Sequence, residues 1–294
     1  MRILHLDTGR ELRGGQRQVL LLMRALREQG VEQTLLARAG GPLLQAAGAE
    51  GFDARPITLA AVFRRSGGVG IVHCHDGRSH ALAAIGSRRP FVVSRRVAFP
   101  PGRGWLDRWK YSRAAAYLAV SEYAAAQLIA AGVGKPKIHV VRDAIVPPAV
   151  VSDYTGGVTA LDMDDPLKGG ELLRSIRTPV NLTTDLEAGL RTASVFLYLS
   201  RMEGLGSAAL LAMAYGVPVV ASRVGGLPEV VRHGEHGFCV GNGTEEIDDA
   251  LRSLIEDPER ARAMGRRARE WVTGECHAER IVRRTLEIYR EIAR

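Results

Sequence analysis

The sequence predicts an α/β protein made of two successive parallel-sheet domains. Short apolar runs alternate with longer stretches of helical periodicity, which is the pattern of a parallel sheet covered by helices on both faces. Pro147-Pro148 interrupts this alternation near the middle of the chain, and the alternation then starts again. The length of 294 residues suits one large domain or two compact ones.

The first half opens with an apolar strand at residues 3–7 and a glycine-bearing loop that ends at residue 15. Residues 16–29 then place apolar side chains at helical spacing and stop at Gly30. Further strands are predicted at residues 33–37, 54–57, 70–74, 91–94, 117–120 and 138–141. Further helices are predicted to end near residue 49 and to span residues 79–85, 105–112 and 122–131.

The second half repeats the pattern. A strand at residues 195–199 leads through a glycine loop into an alanine- and leucine-rich helix at residues 208–215. Further strands are predicted at residues 157–161, 179–182 and 217–221. Further helices are predicted at residues 168–175, 185–191, 244–256, 258–272 and 278–293.

The composition excludes several classes of protein. With 46% hydrophobic and 24% charged residues, the chain has an ordinary globular balance, so wholesale disorder is excluded. Its longest apolar runs are far shorter than the ~18–20 residues of a membrane span. Asp7 interrupts any apolar signal-peptide segment. The three cysteines lack metal-type spacing and are interpreted as reduced thiols of a cytoplasmic protein.

The charge is unevenly distributed. Residues 1–146 hold 22 basic and 10 acidic residues, whereas residues 147–294 hold 18 and 22. The basic half suggests an anionic partner, either nucleic acid, a membrane surface or a phosphorylated substrate. The alternative, of equal weight, is that arginine solvates this domain. We expect no specific nucleic acid, because aromatic residues make up only 5% of the chain and no recognition motif is present.

Two glycine loops stand at strand–helix junctions, where open parallel sheets bind their ligands. Gly14 and Gly15 follow the first strand, and Gly204 and Gly206 follow the strand at residues 195–199. Glycine lets backbone amides approach a phosphate closely, and a helix N-terminus favours negative charge. The spacing at Gly14 is not the dinucleotide-binding pattern. A simple turn there, and a capped helix start at Glu203, are the alternative interpretations.

Two further residues are candidates for chemistry. His75 ends the fourth strand beside His73 and Asp76, but no further ligand cluster supports a metal, and none is predicted. Lys168 is one of four lysines among 40 basic residues and opens a helix, where an ammonium group suits a phosphate. A structural histidine and a solvated lysine are the alternatives.

The segment from Glu203 to Phe238 closely resembles the C-terminal signature of the retaining, group 1 (family 4) glycosyltransferases. It reads EGLGSAALLAMAYGVPVVAS at residues 203–222, VGGLPE at 224–229 and HGEHGF at 233–238. Gly14-Gly15, IVHCHD at residues 71–76 and VSE at 120–122 continue the match. The resemblance implies the GT-B fold, with two facing Rossmann-like domains. The acceptor domain would span 1–148, a reduced donor domain 149–277, and a helix at 278–294 would return towards the N-terminal domain.

The resemblance also implies a reaction. The family moves a sugar from a nucleotide diphosphate donor to an acceptor with retention of configuration, and needs neither metal nor cofactor. Glu203 would contact the donor sugar, Lys168 would neutralise the diphosphate, and His75 would lie near the reacting centre. The loop that meets the sugar and diphosphate is matched by Gly204, Leu205, Gly206 and Ser207, and the N-terminal loop by Gly14 and Gly15. Such amides and cations stabilise the charge that builds on the leaving diphosphate.

The sequence departs from the family pattern at three places. Leu211 replaces the second glutamate of the motif, which in the family holds the ribose hydroxyls. Met163 replaces the basic residue five positions before Lys168, for which Arg95, Arg96 or Arg201 are the possible substitutes. Only 26 residues separate Lys168 from Val195, whereas a single strand–helix–strand unit needs about 30, so the second domain would be trimmed.

The sequence therefore supports two hypotheses. The leading one is a cytoplasmic glycosyltransferase that uses a nucleotide sugar and extends a glycan or lipid-linked acceptor. The alternative, motivated by Leu211 and Met163, is a non-catalytic or altered-donor binding protein on the same scaffold. The aromatic and basic segment at residues 97–111 also suggests peripheral contact with an anionic membrane at its inner face, against the alternative of an ordinary helix packed on the sheet.

Overall fold

The computed structural model describes residues 1–162 and 169–293 and divides the chain into two compact units. Unit 1 consists of Met1–Ala144 and Ala278–Arg294, and unit 2 consists of Ile145–His277. Each unit is a parallel sheet with helices, so the predicted α/β class is confirmed.

Unit 1 contains a seven-stranded parallel sheet in the order β3-β2-β1-β4-β5-β6-β7. Its strands are β1 (Arg2–Leu6), β2 (Glu32–Ala37), β3 (Asp53–Pro56), β4 (Ile71–Cys74), β5 (Phe91–Arg95), β6 (Ala116–Ala119) and β7 (Ile138–Val140). Its helices are α1 (Gly14–Glu28), α2 (Pro42–Ala49), α3 (Leu59–Ser66), α4 (Gly77–Gly86), α5 (Trp105–Arg113) and α6 (Glu122–Ala130), and α13 (Ala278–Ala293) comes from the end of the chain. The strand order reverses between β1 and β4, and ligands bind at such a switch point in open α/β sheets.

One face of the unit 1 sheet is covered by α1 and α13. Leu22 and Leu26 of α1 and Leu286 and Tyr289 of α13 pack with apolar residues of the central strands, and all four are at most 7% exposed. Burial of this apolar surface places the final helix of the chain on the unit 1 sheet.

Unit 2 contains a five-stranded parallel sheet in the order β12-β11-β10-β8-β9. Its strands are β8 (Val158–Leu161), β9 (Asn181–Thr183), β10 (Val195–Tyr198), β11 (Val219–Ser222) and β12 (Gly237–Val240). Its helices are α7 (Gly170–Ser175), α8 (Leu186–Leu190), α9 (Ser207–Ala214), α10 (Leu227–Val230), α11 (Thr244–Ile255) and α12 (Pro258–Glu275). The switch point of this sheet lies between β8 and β10.

Most predicted elements are present with boundaries shifted by one or two residues. The elements α3, α10 and β12 were not predicted. The helix expected at 168–175 begins at Gly170 among the described residues, and its first predicted residue, Lys168, lies outside them. No helix in the described part of the chain combines the length and the apolar character that a bilayer crossing requires.

Candidate functional site

In unit 2, the loop at residues 199–206 joins β10 to α9 at the switch point. Gly206 caps α9 with a φ of +105°, a conformation that L side chains rarely adopt. A Cβ on Gly206 would also lie 2.6 Å from Leu227 Cδ2. Among the described residues no side chain caps α9, so the first amides of this helix have no side-chain acceptor there. This backbone is therefore suited to an anion.

The Glu203 carboxylate is held by groups on both of its oxygens. Tyr198, which is 7% exposed, donates its hydroxyl to Oε2 at 2.7 Å, and the Gly204 amide donates to Oε1 at 3.1 Å. Burial, followed by the charge of Glu203, raises the pKa of Tyr198 well above its usual value, so this hydroxyl keeps the proton that it donates. The side chain of Glu203 is thus oriented before any ligand binds.

A glycine turn holds the backbone of Glu203. The Gly226 amide donates to the Glu203 carbonyl at 3.1 Å. Gly225 has a φ of +56°, and a Cβ at this position would collide with the same carbonyl oxygen. Only glycine allows this close approach, which explains the glycine at position 225 of the VGGLPE motif.

A buried polar network ties together the ends of three adjacent strands beneath this loop. The Ser200 amide donates to Ser222 Oγ at 3.0 Å, and Ser222 Oγ donates to Asn242 Oδ1 at 2.6 Å. Asn242 Nδ2 donates back to the Ser200 carbonyl at 3.2 Å. The network fixes the start of the Glu203 loop relative to β11 and β12.

Of the residues discussed in the comparison with the family pattern, Leu211 and Arg201 are among the described ones. Lys168 and Met163 lie outside the described residues. A Cβ on Gly169, which has a φ of +72°, would lie 2.7 Å from Leu199 Cβ, so α7 begins against the end of β10. Arg201 is paired with Glu171 of α7 at 2.6 Å, and both side chains are exposed. Leu211 is half-buried on α9, one turn after Ser207.

In unit 1, two carboxylates lie at the ends of the switch-point strands β1 and β4. Asp76 accepts from the Thr8 amide at 2.5 Å and from the Thr8 hydroxyl at 2.8 Å, and it also caps α4. Asp7 accepts from the Gly9 amide at 2.7 Å and from the Gln16 side-chain amide at 3.2 Å. These contacts hold the loop that leads to Gly14 and Gly15.

Gly14 and Gly15 are the first residues of α1, and no side chain caps this helix. A Cβ on Gly15 would meet nothing within 4 Å, so the backbone there faces open space. The N-terminus of a 15-residue helix therefore lies open beside the two carboxylates, in the predicted loop.

Three buried histidines lie together on one face of the unit 1 sheet. His5 and His73 are in register on β1 and β4, and His75 follows two residues after His73, so all three share a face. His5 Nδ1 lies 3.0 Å from His75 Nε2, and His5 Nε2 lies 3.1 Å from Gln33 Oε1. His73 lies 2.8 Å from Ser94 Oγ through Nε2 and 2.5 Å from Tyr289 Oη through Nδ1.

These histidines are held neutral. Burial lowers the pKa of His5 to about 4. Burial, together with the neighbouring histidines and Arg96, also lowers the pKa of His75 well below its usual value. The nearest ring nitrogens of the three residues lie within 4.8 Å of one another, which is a spacing that a metal could use. The sequence argument had found no third ligand, because His5 lies 68 residues before His73. Asp76, the third group considered with His73 and His75, is engaged in the helix cap instead.

Buried nitrogen atoms without a hydrogen-bond partner gather at the same edge of unit 1. Among the described residues they are His75 Nδ1, Arg95 Nε, Arg96 Nη1 and Arg142 Nε. Arg96 forms a buried ion pair with Asp143 at 2.9 Å, and Arg95 donates to Tyr111 Oη at 3.2 Å. Unsatisfied buried groups are rare in folded proteins, so their concentration here marks the edge as a candidate ligand site.

The predicted residues therefore form two groups. Gly14, Gly15 and His75 lie at the β1–β4 switch point of unit 1, and the stretch from Glu203 to Ser207 lies at the β8–β10 switch point of unit 2. The sequence argument missed His5, Asp7, Gln33 and Tyr198. Asp7 could have been found, because it is the last residue of a predicted strand and the only charged one in it, whereas Gln33 and Tyr198 carry no motif.

Two family models match the chain. One, described as Glycosyltransferase Family 4, matches residues 12–147, and one described as Glycosyl transferases group 1 matches residues 174–271. The first model covers most of the N-terminal half, including the Gly14-Gly15 loop and His75. The second covers Glu203 and the glycine turn.

Curated relatives match over a shorter stretch. The N-acetyl-alpha-D-glucosaminyl L-malate synthase of Bacillus anthracis is 42% identical over 107 residues, which is 36% of this chain and 28% of the relative. A GDP-mannose-dependent alpha-(1-6)-phosphatidylinositol monomannoside mannosyltransferase of Mycobacterium tuberculosis is 42% identical over 101 residues, which is 32% of this chain and 26% of the relative. The chain thus matches less than a third of the length of these two relatives.

Solved structures match over the whole chain. HepE of Anabaena, in complex with UDP and glucose, has a TM-score of 0.86 at 16% identity and covers 99% of this chain and 100% of its own. The sucrose-phosphate synthase of Thermosynechococcus elongatus has a TM-score of 0.77 at 17% identity, and the match covers 99% of this chain and 98% of the synthase. At this level of identity the similarity shows the fold, which is the predicted two-domain Rossmann-like architecture.

Proposed function

Because the chain belongs to the group 1 / family 4 glycosyltransferases, we propose that it transfers a sugar from a nucleotide diphosphate donor to a glycan or lipid-linked acceptor and retains the anomeric configuration. One observation carries this proposal. The Glu203–Ser207 loop lies at the switch point of unit 2, with its carboxylate held by Tyr198 and with a glycine required at position 206 by the backbone.

The donor side of the proposal rests on unit 2. Glu203 contacts the donor sugar, and the amides from Gly204 to Ser207 bind the sugar and the diphosphate. Departure of the diphosphate leaves negative charge on its oxygens, and amides that are already oriented stabilise that charge without reorganising. Lys168 adds the positive charge that the mildly acidic second half otherwise lacks.

The acceptor side rests on unit 1. Gly14 and Gly15 present the N-terminus of α1, and His75 directly follows β4. We assign His75 to the reacting centre on the resemblance to the family. The unpaired nitrogens of Arg95, Arg96 and Arg142 suit an acceptor that carries hydroxyl or phosphate oxygens. The basic character of this half then attracts an anionic acceptor.

A lipid-linked acceptor is supported by helix α5. None of its residues is buried, and Trp105 and Trp109, one turn apart, are 77% and 44% exposed. Arg103 and Arg108 line an adjacent groove of about 730 Å³. Tryptophan beside arginine is typical of a helix that lies in the interface of an anionic membrane.

The proposal is tested by following the anomeric protons of nucleotide sugars by NMR with UDP-glucose, UDP-N-acetylglucosamine and GDP-mannose as a panel. Without an added acceptor, we expect one donor to transfer its sugar to water, which releases the nucleoside diphosphate and, before mutarotation, the α-anomer of the free sugar from an α-linked donor. Glu203→Gln and Lys168→Ala should each lower the rate at least about tenfold, since each removes a group that acts on the transition state. The exposed residues Glu245 and Lys135 provide matched controls, Glu245→Gln and Lys135→Ala, which should leave the rate unchanged.

Leu211 favours the second candidate function, a binding protein on the same scaffold. A leucine cannot accept hydrogen bonds from ribose hydroxyls. No thermal stabilisation by any nucleotide sugar in the panel would support this candidate over the first.

A further inference from the structure

A buried chain of hydrogen bonds that starts at Gln33 fixes the positions of protons on two histidines. Gln33 Nε2 donates to the Met23 carbonyl at 2.9 Å and lies 3.5 Å from the Val31 carbonyl. Carbonyl oxygens only accept, so the amide nitrogen of Gln33 faces them. Its Oε1 atom consequently faces His5.

The orientation of Gln33 determines the tautomer of His5. The Gln33 oxygen only accepts, so His5 Nε2, 3.1 Å away, carries a proton. The ring is neutral, so His5 Nδ1 carries none. This nitrogen lies 3.0 Å from His75 Nε2, which must therefore be the donor.

The same reasoning assigns the protonation of His75 Nδ1. The His75 ring is neutral and carries its proton on Nε2, so its Nδ1 presents a lone pair. This atom is buried and has no hydrogen-bond partner among the described residues. A buried acceptor without a partner is unfavourable, so a donor that reaches it gains a hydrogen bond that the free protein lacks.

We propose that Gln33 and His5 are positioning residues that hold His75 in the Nε2–H tautomer, so that His75 Nδ1 accepts a hydrogen bond from a hydroxyl group of the bound sugar. The nature of the ligand rests on the proposed function, whereas the tautomer does not. Because Nδ1 is buried in the free protein, the hydroxyl reaches it only when neighbouring side chains shift on binding.

The third histidine does not compete for this role. Both ring nitrogens of His73 already lie within hydrogen-bond distance of Ser94 and Tyr289. Of the ring nitrogens of His5, His73 and His75, only His75 Nδ1 lacks such a contact. A metal ion at this cluster would have to break several of these hydrogen bonds. The arrangement therefore favours the Gln33–His5–His75 chain of hydrogen bonds, termed the relay, over a metal site.

The test is a long-range ¹H–¹⁵N correlation spectrum of the full chain labelled with ¹⁵N-histidine and recorded without substrate. We expect His5 and His75 each to show a single Nε2–H tautomer. Gln33→Leu should convert both rings to tautomer mixtures, whereas Gln33→Glu, which keeps an acceptor, should preserve the single tautomer. A wild-type His75 that carries its proton on Nδ1 would overturn the relay, and so would a His75 tautomer that Gln33→Leu leaves unchanged. The wild-type spectrum tests the assigned His75 tautomer even if a variant fails to fold.

Two controls separate the effect of Gln33 on the histidine tautomers from a general change in structure. His80 Nε2 lies 3.1 Å from the Lys110 carbonyl, so His80 should show the Nε2–H tautomer in every variant. The exposed Gln45, whose amide contacts only the Gly40 carbonyl, offers the matched variant Gln45→Leu, which should change neither His5 nor His75. Stoichiometric Zn²⁺ should leave the spectrum unchanged, and loss of the His5 and His75 N–H signals on its addition would replace the relay with a metal site.

The ligand is tested separately. In titrations with free glucose, N-acetylglucosamine and mannose, the ¹⁵N shift of His75 Nδ1 should move upfield at saturation as the nitrogen accepts a hydrogen bond, and no movement with any of the three sugars would reject the hydroxyl contact. A protein with the expected tautomers that acts on no nucleotide sugar would refute the proposed function and leave the relay standing. An active enzyme with His75 protonated on Nδ1 would refute the relay alone.

Discussion

Asp7 is a carboxylate whose ionisation is opposed by its surroundings. It is 1% exposed at the end of β1, and burial, followed by the negative charge of Asp76, raises its pKa to about 6. Hydrogen bonds from Gly9 and Gln16 and the charge of Arg96 act in the opposite direction but are outweighed. A strongly shifted group in a cleft is typical of a functional site, which agrees with the position of Asp7 at the switch point of unit 1.

This shift predicts how stability depends on pH. The pKa of Asp7 rises from 3.8 in the unfolded chain to about 6 in the folded one, so the folded state holds the proton longer. The free energy of unfolding should therefore fall as pH rises from 4 to 6, by up to about 3 kcal/mol from this group. Asp7→Asn should be more stable than the wild type at pH 8, by up to that amount, and about equal to it below pH 4.

Urea unfolding at pH 4 and pH 8 measures this difference. Asp107→Asn, at a partly exposed position on α5, is the control and should change stability by less than about 1 kcal/mol at both pH values. An Asp7→Asn variant that is destabilised by the same amount at both pH values would show that Asp7 is not held against ionisation.

The glycine turn makes a second prediction at the residue scale. Gly225→Ala introduces a Cβ into the space of the Glu203 carbonyl, and we expect a loss of at least about 3 kcal/mol in the free energy of unfolding or displacement of the Glu203 loop. Gly234 has a φ of +82° but open space around its Cβ position, so Gly234→Ala should lose only about 1–2 kcal/mol from the left-handed backbone. Thermal unfolding of both variants makes the comparison, and equal losses would rule out a specific role for the contact with Glu203.

The residues of the site differ in how far the sequence reveals them. Glu203 and its glycines belong to one continuous motif, so their types and spacing are readable along the chain. His5, Gln33 and Tyr289 join the histidine cluster only through sheet register and helix packing, and no local sequence pattern around any of them indicates this. A site assembled from separate strands depends on topology, which periodicity alone does not supply.

At the scale of elements, the long periodic segments were predicted, and the missed elements α3, α10 and β12 are all short. The helix α1 was recognised from its apolar stripe. The eight-residue helix α3 was missed, although Thr58 provides a cap that accepts from the Ala61 amide at 3.0 Å. Strand β12 has only four residues and begins with Gly237, whose φ of +147° brings its Cα against the backbone of Val219. That close packing is set by the neighbouring strand and leaves no pattern in the sequence.

Helix α5 carries the prediction at this scale. The double variant Trp105→Ala/Trp109→Ala should reduce co-sedimentation with vesicles of anionic phospholipid at least about fivefold, because the exposed indoles supply the apolar contact. The matched control is Phe63→Ala, which removes an exposed aromatic ring of α3. Added salt should weaken binding by screening the arginines. Equal binding by the double variant, the control and the wild type would show that Trp105 and Trp109 do not contact the membrane.

At the scale of the whole molecule, each unit places its candidate residues at its own switch point. The first half of the chain is basic and carries buried arginine nitrogens without partners among the described residues. The second half is mildly acidic, so the proposed donor site depends on backbone amides and on Lys168. The two α/β units could be predicted from the restart of the strand–helix pattern after Pro147-Pro148. The specific donor and acceptor could not, because specificity depends on pocket shape and not on motif.

The central claim is that the Glu203 loop binds a nucleotide sugar, and calorimetric titration of the full chain tests it most directly. The account predicts that one of UDP-glucose, UDP-N-acetylglucosamine or GDP-mannose binds, and that Glu203→Gln weakens its affinity at least about tenfold, or 1.4 kcal/mol, whereas Glu245→Gln leaves it unchanged. No binding of any nucleotide sugar to the wild type, or equal affinity in the Glu203→Gln variant, would contradict the account.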